Sequence, residues 1–183
     1  MTHIAGLKML MARNQANVIA DSIDKNMLEW GSGGTTIYLL QRLVEGQHLT
    51  SVEHHPQWAD KVWTTALRVL TEEQMNRWTY RRIEGKHVGE NATPFEENPA
   101  GLRDYIGAEK LDDFDTILVD GVARAACLAR TRQDAWDADI FLHDAERTWY
   151  RWAQDLFDDG EEIEAAKGEY PPLLWRTAIG RNP

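Results

Sequence analysis

Residues Met27 to Glu53 constrain this chain most. They read Met-Leu-Glu-Trp-Gly-Ser-Gly-Gly-Thr-Thr, then an apolar stretch at helical spacing, then a short apolar run ending in Glu53. Met27 to Trp30 fits a strand. Three glycines in four residues fit a tight turn, a helix starts at Thr35 or Thr36, and Leu49 to Glu53 fits a second strand. A strand, a glycine turn, a helix and an acid after the next strand make the βαβ unit that pockets a nucleoside cofactor. Which nucleoside it holds is the central question about this chain.

The rest of the sequence repeats the alternation. Apolar spacing from Ile4 to Ile23 predicts a leading helix within residues 1–24. Pro56 suits the first turn of a helix running through Leu70. Trp78 to Ile83 alternates like a strand. Residues 85–99 form a long loop of Gly, Asn, Pro and charges near the expected site. Gly101 to Leu111 predicts a short helix. Phe114 to Val119 is nearly continuous in apolar residues, as a central parallel strand is. Ala123 to Trp136 is helical, Ala138 to Leu142 is another buried strand, and Glu146 to Phe157 is an amphipathic helix. Ile163 to Ala166 and Leu173 to Ile179 suggest a terminal antiparallel hairpin. Together these predict one α/β domain over residues 1–183: a doubly wound, mostly parallel, seven-stranded sheet with helices on both faces.

Ligands on such sheets bind at the carboxyl ends of the strands, where strand order reverses. The polar residues of interest fall on that rim: Gly31 to Thr36, Glu53 to His55, Asp120-Gly121 and His143-Asp144.

Composition narrows the partners. The net charge of −10 over 183 residues argues against nucleic acid, which needs a basic face. The local cluster Arg77, Arg81 and Arg82 reads as solvated surface. The single cysteine, Cys127, excludes an internal disulfide and fits a reducing, cytoplasmic setting. Its apolar neighbours predict a buried structural thiol. No long apolar run predicts a signal peptide or a membrane span. Eight tryptophans is many for this length. Most belong in the core, but Trp149 and Trp152 can line a ring-stacking wall.

The glycine turn separates two cofactor classes. A dinucleotide fingerprint wants a third glycine where Thr36 stands. Glu29, two residues before Gly31, would repel a pyrophosphate but attract the ammonium of an amino-acid moiety. Glu53 suits a ribose diol in either class. An NAD-linked or nucleotide-sugar oxidoreductase is the alternative on the same architecture, and a non-catalytic nucleoside-binding protein is another.

Leu-Glu-Trp-Gly-Ser-Gly-Gly-Thr-Thr resembles the first motif of the Rossmann-like (class I) S-adenosylmethionine-dependent methyltransferases. Val52-Glu53 with Pro56 and Trp58 resembles their second strand and following helix. Residues 114–121 resemble their fourth strand. The resemblance implies S-adenosylmethionine as cofactor. It implies that Glu29, Gly31, Ser32 and Gly33 hold the methionine end and Glu53 the ribose. It places His54 beside the adenine. Asp120 is expected to contact cofactor or substrate because it ends a central strand at the switch point. The usual adenine-binding acid after the third strand has no clear match, Glu84 being nearest.

Around residues 114–150, Asp120-Gly121 and His143-Asp144-x-x-Arg147 are similar to the glucuronoxylan 4-O-methyltransferase-like family. That similarity suggests a small-molecule or saccharide hydroxyl as methyl acceptor. Methyl transfer to a hydroxyl needs a base or a metal to take its proton. Asp120, His143 and Asp144 are the candidates, as base or as ligands of a divalent ion such as Mn²⁺, Co²⁺ or Fe²⁺. Asp144 could instead cap the following helix. Arg124 and Arg147 either bind an acidic substrate or pair with surface carboxylates. The apolar leading helix could also form a homodimer face.

Overall fold

Strand-forming runs rich in Leu, Ile and Val alternate with helices, and the computed structural model shows where each run goes. It describes residues 2–4, 6–9, 11–85, 99–135, 137–158, 160–164 and 172–175. Most of the predicted 85–99 loop therefore lies outside the described residues.

Seven strands form the main sheet. They are β3 (Asn26–Trp30), β4 (His48–Glu53), β5 (Trp78–Arg82), β6 (Thr116–Val119), β7 (Asp139–Leu142), β8 (Glu161–Glu162) and β9 (Leu173–Trp175). Their spatial order is β5-β4-β3-β6-β7-β9-β8. The first five are parallel, and β9 runs antiparallel to both β7 and β8. This is the doubly wound, mostly parallel sheet with a C-terminal antiparallel pair that the sequence predicts. Strand order reverses between β3 and β6, so the rim there is the switch point.

Side chains alternate across the sheet. Leu28, Trp30, Ile117, Val119, Ile140 and Leu142 pack on one face with Cys127 and Leu128 of α4 (Arg124–Asp134). Met27, Leu49, Leu118 and Phe141 pack on the other. There they meet Ile19 of α1 (Arg13–Ser22), Ile37 and Leu40 of α2 (Gly34–Leu40), and Val62 and Ala66 of α3 (Pro56–Val69). Alternation sends Glu29 to the α2 side, with Met27. Asp115 fixes the β3–β6 register, because its carboxylate accepts the amides of Asp24, Lys25 and Asn26 at 2.9, 2.8 and 2.7 Å.

Two helical expectations fail. The chain opens with a hairpin, β1 (Thr2–Ile4) and β2 (Leu7–Met9), turned at Gly6 with φ +88°. The leading helix is only α1. Leu7, Met9 and Met11 are all buried in a strand's two-residue period, which the helical spacing concealed. Leu7, Met11 and Ile19 therefore fill this chain's own core. The predicted helix from Glu146 to Phe157 shrinks to a 3-10 turn (Thr148–Tyr150) and α5 (Arg151–Gln154). Its Trp149, Trp152 and Leu156 stay exposed.

Cys127 is buried, and burial pushes its thiol well above the ordinary range, as a structural cysteine requires. Arg77, Arg81 and Arg82 pair with Glu73, Glu109 and Asp60. No helix among the described residues is long and apolar enough to cross a membrane.

Candidate functional site

The carboxyl ends of β3, β4 and β6 enclose a cavity of about 640 Å³, within the range of small-molecule pockets. Its walls bring together eight of the predicted residues: Gly31, Ser32 and Gly33 from the turn, Glu53 and His54 after β4, Asp120 after β6, and Arg124 and Arg147 beyond. Glu29, His143 and Asp144 are not on the wall. They stand behind it.

The glycine turn is built by hydrogen bonds from below. The Gly33 amide donates to Thr36 Oγ1 at 2.7 Å, and that hydroxyl donates to Glu29 Oε2 at 2.8 Å. Ser51 Oγ donates to the same oxygen at 2.8 Å and accepts from Trp78 Nε1 at 3.0 Å. Glu29 is only 1% exposed. Burial pushes its carboxyl up to about 8, against the two hydroxyl bonds that pull it down. Thr36, which breaks the dinucleotide pattern, thus works as a link between turn and acid.

The turn's glycines serve different ends. Gly31 has φ +95°, and a Cβ there would stand 2.6 Å from the Gly121 backbone. Gly121 in turn has room for no Cβ, because Tyr105 Oη would lie 2.0 Å from it. These two glycines are required by protein atoms meeting across the switch point. Gly33 is extended, and a Cβ there would only touch Trp58 at 3.7 Å. Gly33 is therefore the glycine whose bareness serves the cavity.

Glu53 is heavily engaged. Its Oε2 accepts the Ser32 amide at 3.0 Å and the Ser32 hydroxyl at 2.9 Å. Its Oε1 accepts the His55 amide at 2.9 Å and lies 3.0 Å from His54 Nδ1. Burial would raise this carboxyl, but the His54 and His55 contacts together with Ser32 lower it. Trp58 Nε1 donates to the Ser32 carbonyl at 2.6 Å, laying the indole beside the turn.

Across the switch point, Asp120 and His143 form a pair, with Oδ1 to Nδ1 at 2.7 Å. Burial would lower the imidazole, but the charge and hydrogen bond of Asp120 raise it above its ordinary value. Burial would raise Asp120, but His143 and then Arg124 lower it. Arg124 is buried and committed. It donates to the Gly121 carbonyl at 2.8 Å, the His143 carbonyl at 2.8 Å and Asp144 Oδ2 at 2.9 Å. Arg147 donates to the same Asp144 oxygen at 2.7 Å. Asp144 caps no helix; it sits at φ +53° between the two guanidinium groups. Ala123, beside Arg124, is also left-handed at φ +50°. Two non-glycine residues in that region at neighbouring strand ends mark a site held under strain.

No protein-family profile matches the chain, and no functionally curated protein matches it. Solved structures do. A methyltransferase-like protein from Silicibacter pomeroyi aligns over 93% of this chain and 89% of its own, with TM-score 0.64 and 20% identity. An O-methyltransferase from Bacillus cereus, solved with SAH, aligns over 87% and 77%, with TM-score 0.60 and 16% identity. A precorrin-6y C5,15-methyltransferase from Geobacter metallireducens aligns over 92% of each chain, with TM-score 0.56 and 14% identity. This chain has the Rossmann-like methyltransferase fold. In that methyltransferase fold the glycine turn, Glu53 and Asp120 stand around one switch point, on the rim that the strand order marks out.

The metal expectation does not survive. Among the described residues no group of three or more His, Cys, Asp or Glu side chains is arranged to hold an ion. The proposed donors are turned to other work: His143 Nδ1 faces Asp120, and both guanidinium groups occupy Asp144. A divalent cation there would meet two fixed positive charges.

Sequence reading missed Thr36, Ser51, Trp58 and Tyr105. Thr36 could have been found, because it is the third helical residue after the Gly33 cap and such a side chain returns to the cap amide. Trp58 was read only as part of the helix after the second strand, and Tyr105 carried no local signal, since the roles of both depend on contacts with residues distant in sequence.

Proposed function

We propose that this chain is an S-adenosylmethionine-dependent methyltransferase that methylates the hydroxyl of a small molecule or saccharide. The observation that carries the reading is the cavity itself. It opens on the glycine turn at the switch point, with Glu29 beneath the turn and Glu53 beside it. A buried carboxyl under the turn suits a cationic amino-acid head and opposes a pyrophosphate. Gly31, Ser32 and Gly33 line the methionine end. The Glu53 carboxylate meets the ribose by exchanging the Ser32 hydroxyl and the His54 ring for ribose hydroxyls, keeping its two backbone bonds. His54 then borders the adenine.

When bound, S-adenosylmethionine supplies an electrophilic methyl group on a sulfonium. The chain must place the acceptor oxygen in line with it and take the hydroxyl proton. Asp120 meets the acceptor at the wall, and the proton ends on the Asp120–His143 pair. Asp144 anchors Arg124 and Arg147, which keeps the two strand ends in place. Arg147, about a third exposed at 34%, is the cation that can meet an acidic group on the acceptor.

Two experiments test this. In thermal melts, S-adenosylhomocysteine should raise Tm and NAD should not, since only a ligand bound to the folded state stabilises it. The reverse order would leave the oxidoreductase reading standing. In an NMR titration, His143 should lose its proton above 6.5, and Asp120→Asn should bring that midpoint down, because burial alone lowers it. The sign follows: only the deprotonated imidazole accepts a proton, so activity should rise with pH through the raised value. A His143 midpoint indifferent to Asp120→Asn would remove the pair from the mechanism.

A further inference from the structure

Two side chains hold Glu53 where a ribose diol would bind it: the Ser32 hydroxyl at 2.9 Å and the His54 ring at 3.0 Å. A polar group displaced inside a wall needs a new partner, because a buried one left unpaired costs its full desolvation. For Ser32 the replacement is already in place, since its hydroxyl lies 2.8 Å from Tyr80 Oη. For the Glu53 contact of His54 the replacement has to be found.

Tyr105 supplies it. This residue stands on the short helix Arg103–Ile106, is 1% exposed and is not on the cavity wall. Its carbonyl accepts from Trp30 Nε1 at 3.1 Å, which fixes it behind the switch point. Its ring meets the His54 ring edge-on, with centroids 5.8 Å apart and planes at 72°. Its hydroxyl presses on Gly121, where an added Cβ would lie 2.0 Å from Oη. Yet that hydroxyl makes no hydrogen bond among the described residues. Burial raises it, and the Cys127 and Glu53 charges raise it further, so it lies within the field of the carboxylate that His54 touches. The Val122 backbone is close by without completing a hydrogen bond. A buried hydroxyl with no partner calls for a reason.

We propose that Tyr105 is a positioning residue for a bound nucleoside: when the ribose diol takes over Glu53, the His54 ring leaves that carboxylate and hydrogen-bonds the waiting Tyr105 hydroxyl. This rests on the S-adenosylmethionine reading, because that ligand class carries the diol. It goes further, because it makes a residue off the wall select the ligand. The empty protein keeps one hydroxyl unpaired, and the loaded one pairs it. A nucleoside without the diol leaves His54 on Glu53 and gains nothing from Tyr105. The exchange also joins the two walls, since Tyr105 touches His54 at the end of β4 and Gly121 after β6.

Tyr105→Phe decides the matter, because it should act in opposite directions on the empty and the loaded protein. Removing an unpaired buried hydroxyl should leave the unliganded Tm equal to that of the parent or higher. Calorimetric titration with S-adenosylhomocysteine should show binding weakened roughly fivefold, the worth of one neutral hydrogen bond. Adenosine should lose affinity in the same way, while its dideoxy analogue, which lacks the diol, should bind parent and variant alike. His54→Ala completes a double-mutant cycle: with the ring gone, adding Tyr105→Phe should change the S-adenosylhomocysteine affinity less than about twofold. The His54 ring-nitrogen NMR signal should move on ligand binding in the parent and move less in Tyr105→Phe. An unliganded Tm clearly below that of the parent would mean that the hydroxyl is already partnered, and overturns the proposal. So does an unchanged affinity, or a loss that persists without His54. In each of those cases the unaltered chain still binds S-adenosylhomocysteine and the cofactor reading stands. If the unaltered chain binds none, the cofactor reading itself falls, and this one with it.

Discussion

Gly31→Ala should unfold the protein or cost it more than about 4 kcal/mol, the range reserved for backbone strain combined with core disruption. Two effects add. At φ +95° an alanine is strained, by roughly 1–2 kcal/mol. Its methyl group would also lie 2.6 Å from the Gly121 backbone, where no flexible side chain can move aside. Relief requires β3 and β6 to part at the switch point. Gly33→Ala is the matched control. That residue is extended, and its new methyl would meet only Trp58 at an ordinary 3.7 Å. Gly33→Ala should therefore fold normally and lose cofactor affinity instead. Urea melts of both variants check this. A Gly31→Ala midpoint close to that of the parent would show that the contact between the glycines is not rigid.

Glu29→Gln should make the unliganded protein more stable at alkaline pH while depriving it of its ligand. The sign is that of a raised acid. In the unfolded chain the carboxyl ionises near its ordinary 4.5, whereas in the folded chain it keeps its proton up to about 8. Folding stability therefore falls as pH rises between those values, by on the order of 5 kcal/mol in all. Glutamine still offers a carbonyl oxygen to Thr36 and Ser51 and has nothing to ionise. Melts at pH 5 and pH 8.5 should show a steep loss in the parent and a much shallower one in Glu29→Gln. Equal losses would mean that Glu29 is ionised at neutral pH, with a counter-charge of its own.

The parts of the molecule that the sequence made legible share a cause. β3, the glycine turn, β4, β6 and β7 were readable because a buried parallel strand shows as a continuous apolar run ending in polar residues. The same runs place Gly31, Glu53 and Asp120 on one rim. The opening hairpin was not readable, because Leu7, Met9 and Met11 satisfy the two-residue period while Leu7, Leu10 and Met11 satisfy the helical one. The stretch after His143 failed differently. Its apolar spacing is that of a helix, but Asp144 is held at φ +53° by Arg124, twenty positions earlier, and no local pattern announces that. The roles of Arg124 and Asp144 as anchors, and of Thr36 as a link, are likewise long-range facts about hydrogen-bond partners. Residue type and spacing indicated which chemistry was present without showing which groups were already occupied by one another.

The Gly31–Gly121 contact also has a consequence for the order of folding. One residue ends the first strand of the central pair, and the other arrives only after β4, α3, β5 and the long crossover have been made. Closing so distant a pair carries a loop entropy that local helices and the β3–β4 unit do not meet. The glycine turn can form early with its own helix, but the cavity has no second wall until β6 docks. A chain interrupted before Val119 would hold one wall of the cavity and would lack Asp120. The site is thus a late product of assembly, completed by the strand that also delivers Asp120.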